Sequence, residues 1–74
     1  MINLEPWIEA LVAVNEDIVI CERRFHRQCV RIVAAAAKGQ VTPEDEMLLA
    51  SHTVSLVLIR AMRDNLLADV PQDA

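Results

Sequence analysis

The chain has 74 residues, 54% of them hydrophobic and only 3% aromatic, with 11 acidic against 7 basic side chains and a net charge of −4. That balance argues against nucleic acid as the main ligand, because a phosphate-binding surface needs an excess of Lys and Arg. The length suits one domain near the limit at which a single core offsets chain entropy, yet the apolar content exceeds what so small an interior can hold, so a second chain is implied.

The first predicted element is a helix over about residues 4–38. Pro6 falls in its first turn, where a missing N–H costs nothing. In heptads, one stripe reads Leu4, Trp7, Leu11, Val14, Ile18, Cys21, Phe25, Gln28, Ile32 and Ala35, with Gln28 alone polar and no slip of phase. Such a stripe predicts one continuous helix with a long packed seam, although Asn15-Glu16-Asp17 has the composition of a cap. A second stripe, Ile8, Val12, Val19, Cys29 and Val33 with His26 among them, widens the apolar face. One hairpin partner needs one seam, so the second stripe has to meet something else. Glu9, Glu16 and Arg23 mark the opposite, solvated side.

The turn comes at 39–42. Gly39, the single glycine, stands where a left-handed residue closes a helix, with Lys38 beside the negative helix end. Thr42 then predicts the cap of a second helix over about 43–68. Pro43 takes its first position, and Glu44, Asp45 and Glu46 complement its positive end. Thr42 with Asp45 is close to a capping box, in which Glu or Gln is the usual third partner. The main face of this helix reads Leu48, Val54, Leu58, Ile59, Ala61, Met62 and Leu66. Leu49, Leu56, Val57 and Leu67 fall outside it, nearer the polar line of Glu46, Thr53, Arg60 and Asp64. A helix apolar over most of its circumference belongs at the centre of a bundle. The tail, 69–74, is expected to fray.

The elements therefore predict an all-α fold, two long antiparallel helices in a single hairpin domain, dimerising into a four-helix bundle. Helices of about 50 Å and 39 Å, at 1.5 Å per residue, leave Leu4 to Val14 without cover from their own chain. The expected core of hairpin or dimer is Val14, Ile18, Cys21, Phe25 and Ile32 from helix 1, with Val54, Leu58, Ile59, Met62 and Leu66 from helix 2.

Catalysis and cofactors find little support. One glycine makes no phosphate loop, and a Cys–His nucleophile needs a cleft and an oxyanion hole that two packed helices lack. His26 and Cys29 share a helix face, and His52 falls opposite Cys29 across the hairpin, but structural zinc wants four ligands at tighter spacings. No enzyme, metal or cofactor is expected. Cys21 and Cys29 lie about 12 Å apart on one helix, too far to bridge each other, and free thiols fit a reducing, cytoplasmic setting. Met1 to Pro6 lacks the basic start of a signal peptide. The longest uncharged stretch, Met47 to Ile59, is 13 residues, short of the roughly 20 a membrane span needs.

What remains is binding. Arg23, Arg27 and Arg31, four apart, form a ridge beside the seam, and arginine and tryptophan are enriched at interface hot spots. Trp7, Leu11, Val12, Arg23, Arg27 and Arg31 are the expected partner-binding residues. From Cys29 onward, over a little more than half the chain, Ala37-Lys38-Gly39, Pro43-Glu44 and an apolar helix ending near Leu67 resemble the small helical-hairpin chaperone subunit of type III secretion needle complexes. That resemblance implies a hairpin that masks the aggregation-prone helix of a needle subunit together with a second chaperone. In type, the chain also resembles small acidic helical phage proteins that disable a host regulator or motor. The expected function is a non-catalytic module that masks a helix or apolar patch on a partner protein, as adaptor or inhibitor. The alternative is a small nucleic-acid-associated regulator using the Arg23 to Arg31 ridge.

Overall fold

Gly39 is where the chain reverses. The computed structural model describes residues 3–72, and in it Gly39 has φ +65°, a conformation that costs glycine little. Its N–H donates to the Ala36 carbonyl at 3.0 Å and that of Gln40 to the Ala35 carbonyl at 2.8 Å. These two bonds are the Schellman closure of a helix. They end α1, Glu5–Ala37, and are followed after five residues by α2, Pro43–Ala68.

A side-chain oxygen accepts from a backbone N–H at each helix start. Asn3 accepts from the Glu5 N–H at 3.0 Å ahead of α1. At α2 the box is complete: Thr42 Oγ1 accepts from the Asp45 N–H, and Asp45 Oδ2 accepts from the Thr42 N–H, both at 3.2 Å. Aspartate thus closes a box that glutamate usually closes, because the Thr42 backbone N–H lies within reach of its shorter side chain. Residues 69–72 have left the helix, and the end of the expected tail, 73–74, lies outside the described residues.

The two helices run antiparallel as a hairpin 61 Å long and 13–14 Å across. Its radius of gyration is 17.4 Å, where a globule of this length has about 11 Å. No helix among the described residues is long and apolar enough to cross a membrane.

The α1 seam is the one the heptads predict. Val14, Ile18 and Gln28 are buried, and Trp7, Leu11, Cys21, Phe25, Ile32 and Ala35 are half-buried at the same spacing; Leu4 is exposed. The α2 seam differs from expectation. It reads Asp45, Leu49, His52, Leu56, Ile59, Arg63 and Leu66, alternating steps of four and three, with Leu56 its one buried residue. Leu49 and Leu56, read as lying outside the main face, are on the seam. Val54, Leu58 and Met62, 55–60% exposed, are outside the hairpin core. Three of the seven seam positions are polar, so hydropathy pointed to the wrong stripe of a helix that is apolar nearly all round.

The free end is also corrected. Trp7 Nε1 donates to the Leu66 carbonyl at 2.8 Å, and Gln28 Nε2 to the Asp45 carbonyl at 3.1 Å. Both pairs lie at matching levels of the two helices, so α2 covers α1 down to Trp7. The extra length of α1 sits at the other end instead: it continues from Gln28 to Ala37, whereas α2 begins two residues before Asp45. The connection 38–42 runs back beside that overhang, with Val41 half-buried.

Candidate protein-binding faces

Heptad geometry splits the surface beside the seam into two edges. On the first, α1 presents Ala10, Ala13, Asp17, Ile20, Arg24, Arg27 and Arg31, while α2 presents Leu48, Ser55, Leu58, Met62 and Asn65. These residues line a chain of shallow grooves along the hairpin. One, of about 450 Å³ near the free end, has Ala10, Ala13 and Val14 facing Ile59, Met62 and Leu66, with Asp17 and Asp69 at its margin. The next passes between Ile20 and Leu58, with Asp17 and Arg24 at its rim, and the last lies among Arg24, Arg27, Arg31, Leu48 and His52. One edge thus joins an apolar floor to an acidic group near the free end and three arginines toward the turn.

The second edge carries the second apolar stripe of α1. Ile8, Val12, Val19 and Val33 are 46–70% exposed there. Across it Arg60 Nη2 pairs with Glu22 Oε1 at 3.2 Å, which places Leu67, one heptad from Arg60, on the same edge and Val57 next to it. With both side chains about half exposed, this ion pair adds little stability. A shallow hollow beside it is formed by Val19, Glu22, Arg23, His26 and Arg27.

The expected partner-binding residues are therefore divided. Val12 and Arg23 belong to the second edge, Arg31 to the first and Leu11 to the seam, while Arg27 lines hollows on both sides of α1. Trp7 is not a free anchor: its indole N–H is committed to Leu66, whose carbonyl is among the last four of α2 and has no partner within that helix. A tryptophan from one helix thus caps the end of the other. Its position near the helix start signalled something unusual, but the partner became visible only with the register.

Gln28 is a second residue whose role depends on register. It is 2% exposed, and its amide meets a carbonyl in the first turn of α2. The Asp45 carbonyl also has a partner in the helix ladder, so losing Gln28 leaves no orphan acceptor. Gln28→Leu should accordingly change stability by less than about 1 kcal/mol, whereas Gln28→Ala, which leaves a cavity, should cost about 1–3 kcal/mol. Urea titrations of the two variants, followed by circular dichroism, check the contrast.

The groups considered as metal ligands do not assemble. His52 is half-buried on the α2 seam beside the arginine groove, His26 is exposed on the opposite edge, and Cys29 is half-buried with a free thiol. Among the described residues no three His, Cys, Asp or Glu side chains are placed to hold a metal ion. Comparison with protein-family models, with curated proteins and with solved structures found no match.

Proposed function

We propose that this protein is a non-catalytic binding module that covers a helix or apolar patch on another protein, as a chaperone-like adaptor or inhibitor does. One observation carries the reading. Val14, Ile18 and Leu56 are the buried hydrophobic side chains of the hairpin, while Val33, Met47, Val57 and Leu58 stand 60–72% exposed. Apolar surface on this scale, spread along a rod, is what helix-in-groove recognition uses. The second edge, with Val12, Val19, Val33, Val57 and Leu67, is the proposed target face. It is a long apolar strip interrupted by the Glu22–Arg60 pair, Arg23 and His26, a pattern that an amphipathic helix complements. The resemblance to needle-complex chaperones and to phage inhibitors agrees in kind, and the free thiols of Cys21 and Cys29 fit a cytoplasmic setting.

The test is co-purification from the source cell with wild type and with the double variant Val19→Glu/Val57→Glu, whose sites are exposed enough to leave the fold intact. Wild type should retain a protein in near-stoichiometric amount through a high-salt wash, and the double variant should lose it with its helicity unchanged. Identical retention by both, or none by either, overturns the reading. A retained nucleic acid released by salt would instead support the Arg23 to Arg31 ridge as a phosphate-binding surface.

A further inference from the structure

The groove edge and the target edge are not equivalent electrostatically. Among the described residues the one ion pair is Glu22–Arg60, on the target edge. Among the described residues, Asp17, Arg24, Arg27 and Arg31, all on the groove edge, have no ion-pair partner. Their order along α1 matters: the carboxylate lies toward the free end and the guanidinium groups toward the turn. The same polarity holds for the whole rod. The half near the free end, residues 3–20 with 56–72, carries six carboxylates against Arg60 and Arg63, whereas the turn half, 21–55, carries five basic groups against four acidic ones.

Area points to a large missing contact. The chain exposes 5724 Å², where a folded monomer of its mass exposes about 4,600 Å². The excess, about 1,100 Å², is more than the roughly 800 Å² that each partner buries in an interface of standard size.

We infer that the groove edge is covered by a second copy of this chain in antiparallel orientation, so that Asp17 of each copy meets Arg24 of the other. A two-fold axis perpendicular to the rod and level with Ile20 and Cys21 sets α1 beside the partner's α1. Asp17 and Arg24, about 10 Å apart along α1, are then exchanged by symmetry. The same axis brings Ala10 level with the second copy's Arg31, so that a long basic stem lies over a small residue. The other two-fold choice, parallel to the rod, gathers all six groove arginines at one end and leaves Asp17 without a basic neighbour. Charge complementarity therefore selects the antiparallel bundle, with turns at opposite ends. This inference rests on the reading of the hairpin as a binding module and leaves the second edge free for the target.

The test measures solution mass by light scattering over a dilution series of wild type, Asp17→Arg, Arg24→Asp and the double variant, with circular dichroism on each sample. Wild type should have the mass of two chains. Each single reversal should weaken the dimer about tenfold or more, because the symmetry repeats every charge contact, and the double variant should recover most of that loss. As a second measure, with Cys21 and Cys29 replaced by alanine, chains carrying Asp17→Cys should cross-link to chains carrying Arg24→Cys and not to their own kind. A chain that stays monomeric at all concentrations, a dimer indifferent to the charge reversals, or cross-linking of Asp17→Cys to itself overturns the inference. A monomer that still retains its target through Val19 and Val57 sinks the dimer alone. A dimer with the expected charge response that retains nothing sinks the proposed function alone.

Discussion

Leu56→Ala should abolish most of the cooperative unfolding transition. Leu56 is the one buried side chain of α2, 6% exposed, and with Val14 and Ile18 it makes up the buried apolar core of the hairpin. Truncating a buried Leu to Ala costs about 2–5 kcal/mol from lost transfer energy and the cavity left behind. A core of this size rarely supplies more than about 3–5 kcal/mol, so one truncation consumes nearly all of it. Val57→Ala is the matched control. Val57 points away from α1 and is 61% exposed, and such a change should stay within about 0.5 kcal/mol. Urea titration monitored by far-ultraviolet circular dichroism reads both. Equal losses in the two variants would mean that α2 packs in another register, with Val57 inward.

The second large effect is expected at Trp7. Trp7→Ala should cost about 2–3 kcal/mol, below the usual range for a fully buried aromatic because Trp7 is only half-buried. Trp7→Phe keeps most of the ring contact but cannot donate to Leu66, and should cost about 1 kcal/mol. The two losses differ in location as well as size. Without the indole N–H, the last turn of α2 has an unsatisfied carbonyl and should fray, so amide exchange should quicken around Leu66 to Asp69 while the turn around Gly39 stays protected. Uniform exchange along the hairpin in Trp7→Phe would show that the bond caps nothing. As the chain's one tryptophan, it also makes wild-type fluorescence a local report on that end.

Much of the hairpin is legible without coordinates. Gly39, Thr42, Pro43 and Asp45 act through contacts with residues two to four positions away, so their patterns carry their own geometry. The α1 seam is legible for a related reason. Nine of its ten predicted positions are apolar, and Glu9, Glu16 and Arg23 on the opposite side are charged, so this face of α1 suits burial best. The two apolar edges are legible only in part. The second stripe of α1 could be seen to lack a partner within the chain, but its companions on α2 could not be named.

The α2 seam resisted sequence reasoning because its apolar residues surround the helix and its inward line contains Asp45, His52 and Arg63. Hydropathy alone prefers Val54, Leu58 and Met62, which the hairpin leaves exposed. What decides between the stripes is the pairing with α1: Gln28 against Asp45 and Trp7 against Leu66 fix how far α2 slides and which way it faces. The path of the connection 38–42 then places the overhang of α1 at the turn rather than at the free end, and this turns Trp7 from an apparent free anchor into a cap. The sequence by itself determined the two helices, their limits and the inward face of α1, because those depend on local hydrogen bonds and on a single amphipathic period. Only the tertiary structure decided the face of α2, the level at which the helices meet and the division of charged residues between two edges, because these depend on contacts between residues far apart in the chain.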